Sequence, residues 1–521
     1  MDETVRGHKI IRSTLLISFF SVLNFAVTFL THVILAARFG AKMEIDALFA
    51  ALTVPTMFIA VSMSVLNIVF VPIFVRYMQE DERESWNIAY NILVLLGLTL
   101  SAIVGAGILF SNQIVSAIVP GFGPQKAALT SHLLRIVFPA LVLIALADFL
   151  SAIHYAYEKF FLPFLSLFLR NLTVVVVVLL FVRVWGIDSY AFGMVFGALL
   201  YFALLSQMVF KKGQRRFRWN PGHPGVRKTI GMMAPLLIGG MFFRTTQLVD
   251  KYLLSSLPEG SISYLGYSSR VLTVINAVLG KGISLSVYPK MSAYSARKDA
   301  ENLRKVFSIG FRMMLLAVVP VAFGLIVLRR ELIGVLFERG LFDHVATINV
   351  SNTLLCHLGA IVALPLTSVV VFAFYSLEDA KTPVKIGIAG ALVNIGLDFL
   401  LARRFQQLGV AFAFSANTVV NLGIFLYVAN RKLRGIDLGK TAVSFFKMSV
   451  VSIIMVLGIL LWGRFSCAVG LDQQELLSLI SSVCLGAGIY IVGTILFRVE
   501  EMIFLRDFVL NRARVFTSRG S

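Results

Sequence analysis

The chain has 521 residues, of which 58% are hydrophobic and only 14% charged, and its formal net charge is +20. A soluble protein is nearer ~25% charged, and no soluble core absorbs this much apolar sequence, so the composition excludes a soluble domain. It describes an all-α polytopic membrane protein, in which a basic excess sets topology from the loops rather than marking a nucleic-acid partner.

The N-terminal stretch MDETVRGHKIIRS is basic and precedes a long apolar run, as in a secretory leader. No small-residue cleavage site ends that run, so it reads as the first membrane helix. Apolar runs long enough to cross a bilayer recur about fourteen times. They lie near 14–37, 47–75, 88–111, 129–153, 160–183, 188–210, 230–256, 262–288, 306–328, 350–376, 383–402, 408–430, 442–463 and 475–497. None shows the alternating polarity of barrel strands. Lys and Arg gather in the loops on one side, which predicts cytoplasmic N- and C-termini.

The most basic loop, KKGQRRFRWNPGHPGVRK (211–228), is also the longest polar connection, and Pro221 and Pro224 discourage helix within it. It marks a boundary between two halves that read as copies. Residues 45–74 align without gaps on 262–291, placing Pro72 over Pro289. Further on, 155–164 aligns on 375–384, placing Tyr155 over Tyr375 and Glu158 over Glu378. The predicted organisation is an N-lobe of six spans (1–220) and a pseudo-symmetric C-lobe of six (221–436). The last two spans with the tail (437–521) have no counterpart in the repeat. Transporters built from repeats of this kind bind substrate between the halves.

Between Gly239 and Lys281 two apolar segments carry Arg244, Asp250, Lys251, Arg270 and Lys281. A charge at the bilayer centre costs at least ~2.5 kcal/mol, so five on consecutive spans predict a water-filled, cationic cavity. Arg270 has the fork that suits a pyrophosphate; an arginine locking two helices is the alternative. Arg244, Gln247 and Lys251 share one helix face, although Lys251 also has the length to reach the interface.

Asn394 and Asp398 stack at i, i+4, and with Asp250 they supply oxygens for a hard monovalent cation or a proton. Asp398 pairing with Arg403 or Arg404 is the competing reading. Asp148, Arg135, Arg170, Asn171, His32, His154 and His357 are further polar residues within spans, the histidines being of the kind usually hydrogen-bonded between helices. Cys356, Cys467 and Cys484 are too scattered for a disulfide framework or a zinc site. The loops are short and hold no clustered acids or histidines and no nucleotide motif, so the chain is read as a binding-and-moving protein, not an enzyme.

The segments RFGAKMEIDALFAAL (38–52), FVPIF (70–74), VPGFG (119–123), LLRIVFPALVLIALADFLSAIHYAYEKFFLPF (133–164), LGYSSRV (265–271), EDAKTPVKI (378–386) and GVAFAFSANTVVN (409–421) resemble the MurJ/MviN branch of the MOP flippase superfamily. The resemblance runs from the first span to the last. It implies a flippase for lipid II, the undecaprenyl-pyrophosphate-linked peptidoglycan precursor, in the bacterial cytoplasmic (inner) membrane. It also implies a cationic cavity between two lobes, a lipid-tail groove on the last two spans, and alternating access driven by membrane potential or sodium. Cell-envelope biosynthesis proteins and membrane lipids are the partners it suggests.

By position, Arg270 matches the cavity arginine, and Asn171 a polar cavity residue. Asp250, Asn394, Asp398 and the Val410 carbonyl match the sodium site, where Phe414 stands in place of a threonine. Charged positions of spans 1 and 2 are here Phe25, Thr31, His32, Ile59 and Ala60. Arg244, Arg135 and Arg170 are candidates to replace that lost charge. The loss also fits a related lipid-linked oligosaccharide as substrate. Two other classes stay open, a cation-coupled MATE-like exporter of amphipathic small molecules and a non-transporting scaffold of a wall-synthesis complex.

Overall fold

The computed structural model describes residues 2–212, 218–242, 244–433, 435–468 and 475–507, and among these the secondary structure is helical without strands. α1 (Asp2–Phe39) leads to α2 (Met43–Ala51), α3 (Thr53–Val65), a π-helical turn at Leu66–Phe70 and α4 (Val71–Glu80). Then come α5 (Glu82–Leu109), α6 (Ser111–Ile118), α7 (Pro124–Ala156), α8 (Phe161–Trp185) and α9 (Asp188–Lys212). α10 (Pro224–Phe242), α11 (Thr245–Ser255), α12 (Ser261–Ala296), α13 (Ala300–Phe337), α14 (His344–Cys356) and α15 (Leu358–Ser376) follow. α16 (Lys381–Lys432), α17 (Leu438–Ala468) and α18 (Glu475–Leu496) complete the series. Part of the basic loop, 213–217, and the C-terminal 508–521 lie outside the described residues.

Acidic side chains start several helices by accepting an orphan backbone N–H. Asp81 accepts from the Arg83 amide at 2.8 Å, Asp299 from Asn302 at 3.1 Å and Asp343 from Ala346 at 2.8 Å. Among the described residues twelve helical segments, against the fourteen expected, are long and apolar enough to cross a membrane. α16 counts once, although it is two helices joined at Gln406. α12, with Arg270, Lys281 and Lys290 along its length, is outside the twelve.

Contacts divide the chain between Ser263 and Tyr264 into two compact units. The loop and the repeat placed the boundary at 220; packing places it later, because α10 and α11 go with the first unit. Val226 and Met233 of α10 join a core that includes Val61, Phe70, Phe149 and Leu205. Homologous copies and compact bodies are different divisions of this chain.

The second unit centres on α13. Its Phe307, Phe311, Met314 and Val318 pack with Leu366 and Phe374 of α15, Phe425 of α16 and Met448 and Met455 of α17. α17 and α18 approach closely at glycines: a Cβ on Gly493 would sit 2.6 Å from Val451, and one on Gly486 2.8 Å from Ile459. The pair is docked on α13, where Tyr490 donates to the Leu316 carbonyl at 3.1 Å. Arg312 of α13 holds Glu500 and Glu501, each at 2.9 Å, just beyond α18.

The backbone itself repeats. Left-handed φ values occur at Gly40 and Gly260 (66° and 90°), at Glu158 and Glu378 (55° and 58°), and at Gly186 and Gln406 (both 52°), each pair 220 residues apart. With ψ near −132° and −136°, the last pair occupies a region open to glycine almost alone. The second copy therefore holds a strained glutamine where the first has glycine. Gln406→Gly is expected to stabilise the protein by about 1–3 kcal/mol and Gly186→Gln to cost as much. Thermal unfolding of the solubilised protein measures both, and two unchanged midpoints would remove the strain.

The turn between α15 and α16 is tied by Asp379, which accepts from Lys432 and, at 3.0 Å, from the Thr382 amide. Burial pushes the Asp379 carboxyl up, but the bonds from Lys432 and Thr382 and the Lys432 charge hold it well below the usual carboxylate range. A depressed folded value contributes stability that is complete above the unfolded value of about 3.9. That stability is lost only as pH falls through the folded value. The loss of stability in Lys432→Ala should therefore be the same at pH 7 as at pH 5, and shrink only in stronger acid. Thermal unfolding across that range checks it.

Candidate functional site

The expected seventh span is broken where its arginine lies. α10 ends at Phe242 and α11 begins at Thr245, with the Arg244 amide on the Met241 carbonyl at 2.9 Å and the Thr245 hydroxyl on the Phe242 carbonyl at 2.7 Å. Gly239 and Gly240 before the break, and β-branched Thr245 and Thr246 after it, are poor helix formers. Arg244, half-buried, adds a full charge to the partly positive start of α11. Gln247 and Lys251 follow on the same side, and Asp250 lies half-buried beside them.

Arg270 belongs to the second unit. It is half-buried in the third turn of α12. Further along that helix the Asn276 amide donates to the Leu272 carbonyl at 3.0 Å, and its Oδ1 is enclosed without a hydrogen-bond partner among the described residues. The Lys281 side chain lies outside the described residues.

Asn394 and Asp398 stack as the spacing predicts. Asn394 Nδ2 donates to Asp398 Oδ2 at 2.6 Å, and both residues are buried. Asn394 Oδ1 is enclosed with no hydrogen-bond partner among the described residues. Val410, also buried, and Phe414 stand on the limb of α16 beyond Gln406. Phe414 meets His357 edge-on at 6.0 Å, and both ring nitrogens of that buried histidine lack hydrogen-bond partners among the described residues. His154 instead bonds the Leu150 carbonyl at 2.9 Å, and His32 packs on Phe49. Asp250 is in the first unit, whereas Asn394, Asp398 and Val410 are in the second.

Arg170 and Asn171 come together with residues that periodicity could not assign to them. Arg170 Nε donates to Asn171 Oδ1 at 3.2 Å and its guanidinium lies 5.4 Å from the Tyr201 ring centre. Asn171 Nδ2 donates to Asn24 Oδ1 at 2.6 Å and to Thr28 at 3.2 Å, joining α8 to α1. Tyr201 reaches Asp148 at 3.1 Å and Ser151 at 2.9 Å. Arg135 goes elsewhere: it is exposed and bonds Ser111 at 2.6 Å and Asn112 at 3.2 Å at the start of α6. Of the positions that lack the family's charge, Thr31 bonds its own helix at Val27 and Ile59 lines an apolar cavity.

One polar centre escaped the sequence reading. Asp46, wholly buried at the start of α2, accepts from Lys126 at 2.6 Å, from the amides of Gly260 at 2.9 Å and Ser263 at 2.7 Å, and from the Ser263 hydroxyl. An aspartate beginning an apolar helix was the available signal.

These features define a multi-pass helical membrane protein of two repeat-related halves, with polar and charged groups inside its spans. The fold is that of the MOP superfamily. A solved lipid II flippase MurJ in an inward closed conformation superposes with a TM-score of 0.80 at 22% identity, covering 95% of this chain and all of that one. An inward-facing multidrug resistance MATE transporter superposes at 0.67 with 12% identity, covering 79% and 94%. The family model described as lipid II flippase MurJ matches residues 35–476, and the chain belongs to that family. Among its relatives, the probable lipid II flippase MurJ of Vibrio cholerae serotype O1 is 26% identical over 96% of this chain and 98% of its own. That of Rickettsia prowazekii is also 26% identical, over 79% and 82%.

Proposed function

We propose that the chain flips lipid II, or a closely related undecaprenyl-pyrophosphate-linked glycan, from the inner to the outer leaflet of the bacterial cytoplasmic membrane by alternating access. The family match over most of the chain carries this reading; the fold alone is shared with multidrug exporters. The chemistry of Arg270 supports it, since a half-buried guanidinium favours a doubly anionic pyrophosphate over the cations and neutral amphiphiles an exporter handles. Arg244, at the helix break, is the first unit's contribution to anion binding. The apolar outer faces of α17 and α18, among them Phe446, Leu461 and Leu496, suit the polyprenyl tail. The protein is proposed to act as a transporter and not as an enzyme, with both termini cytoplasmic.

The coupling ion is proposed to be sodium, held in the second unit. The residues fit a small hard cation: Asp398 supplies charge, and the enclosed Asn394 Oδ1 supplies an oxygen that no described donor satisfies. Val410 would add a carbonyl, whereas the Phe414 side chain contributes no oxygen. A bound cation would neutralise Asp398 and fix the two limbs of α16.

Complementation of a strain depleted of its lipid II flippase tests the reading. Rescue by this chain, with uptake into vesicles that drops when choline replaces sodium, is the expected result. Failure of a well-expressed protein to rescue growth would remove lipid II as the substrate and direct attention to another lipid-linked glycan.

A further inference from the structure

The first unit contains a cavity of about 300 Å³ walled by α3, α5, α7 and α10, with Phe58, Leu66, Leu96, Leu141, Ile230 and Leu237 in its lining. Its origin lies in how α10 is held. At the cytoplasmic end Gly225 lets the helix lie against α5, where a Cβ would sit 2.6 Å from Ile88. Near the other end Gly240 lets it lie against α3, where a Cβ would sit 2.7 Å from Val61. Between these pinches the helix carries Pro235, which removes a backbone hydrogen bond and favours a bend. Between them Ile230, Ala234 and Leu237 of α10 form one wall of the void.

The void is apolar throughout. Thr99, on its wall, turns its hydroxyl to the Leu95 carbonyl of its own helix. Water needs polar partners, so such a cavity does not hydrate, and left empty at this size it is costly. On the α7 side Leu141 and Ala145 are buried, whereas Thr99 and Ile103 of α5 and Ile230 and Ala234 of α10 are exposed. The mouth therefore opens between α5 and α10.

Charge at one end says what enters. On α10 the cavity-facing stripe Ile230, Ala234, Leu237 and Met241 continues toward the cytoplasmic end as Arg227. Arg227 and its neighbour Lys228 are exposed, and among the described residues neither side chain has an ion-pair or hydrogen-bond partner. The nearby acids are occupied, Glu84 by His223 at 2.9 Å and Glu82 by the Tyr157 hydroxyl at 2.6 Å. A basic pair at the head of an apolar slot matches an anionic lipid.

We propose that this cavity binds one acyl chain of an anionic membrane phospholipid, entering between α5 and α10, with its headgroup phosphate on Arg227 and Lys228. Such a site fills the gap beside α10, and makes the helix leading to Arg244 responsive to lipid composition. It does not depend on which glycan the protein moves.

The full-length protein in vesicles of phosphatidylethanolamine and phosphatidylglycerol, with a photoreactive group on the phosphatidylglycerol chain, provides the test. Labelling is expected on the α5 and α10 residues of the wall, about fivefold lower in Ala234→Phe, whose ring fills the mouth. Arg227→Ala with Lys228→Ala, on the exposed surface, should erase the preference for phosphatidylglycerol over a phosphatidylcholine probe. That variant carries the test if Ala234→Phe fails to fold. Labelling spread evenly over the lipid-facing helices, or equal labelling by both probes in the wild type, would overturn the proposal. So would displacement of the probe by undecaprenyl pyrophosphate, which would assign the slot to the substrate's own tail.

Discussion

Arg270→Ala is expected to abolish rescue of cells depleted of their lipid II flippase, while the protein is made and folds normally. A charge-assisted hydrogen bond contributes about 1.5–3 kcal/mol, so losing the guanidinium should weaken pyrophosphate binding by about 10- to 100-fold. Arg270→Lys keeps the charge but not the planar fork, and should retain part of the activity. Arg244→Ala is expected to have a smaller effect, because the backbone N–H groups at the start of α11 still favour an anion there. Affinity of the purified variants for a polyprenyl-pyrophosphate glycan, measured beside growth, separates recognition from expression. Growth and affinity equal to wild type in Arg270→Ala would take the pyrophosphate away from this residue.

The second large effect is on stability. Asp46 is buried among four donors, and Lys126, its ion-pair partner, also rests on the Phe122 ring at 4.3 Å. Asp46→Ala strands a mostly enclosed ammonium and two backbone amides at once. Removing one partner of a buried pair typically costs about 3–5 kcal/mol, so the unfolding midpoint should fall sharply. Asp46→Asn keeps the shape and one acceptor oxygen and should lose less. The coupling between Asp46→Asn and Lys126→Met, measured as a double-mutant cycle, isolates the ion pair from the amide bonds. A midpoint unchanged in Asp46→Ala would mean that the first turn of α12 finds other acceptors.

Several polar residues chosen from the sequence hold their places for reasons that spacing does express. Asn394 and Asp398 meet because residues four apart on a helix stack, whatever surrounds them. The same logic set Arg244, Gln247 and Lys251 on one side of α11. Arg135, Arg170 and Asn171 are likewise polar within apolar runs, yet their partners come from other helices: Ser111 and Asn112 for the first, and Asn24, Thr28 and Tyr201 for the others. Those partners are as much as 147 residues away along the chain. No periodicity connects them.

The sequence by itself determined the solvent, the secondary structure and the repeat. Each rests on terms that sum along the chain: apolar length against bilayer thickness, internally satisfied backbone, and recurrence of the same local residues. The repeat reaches the backbone angles, so that even the strained Gln406 occupies the place of Gly186. Tertiary structure alone decided the division after Ser263, the burial of Asp46 and the cavity behind α10. These depend on which face of a helix meets which neighbour. That is set by close contacts such as those at Gly225 and Gly240, where one missing Cβ moves a helix and hydropathy records nothing.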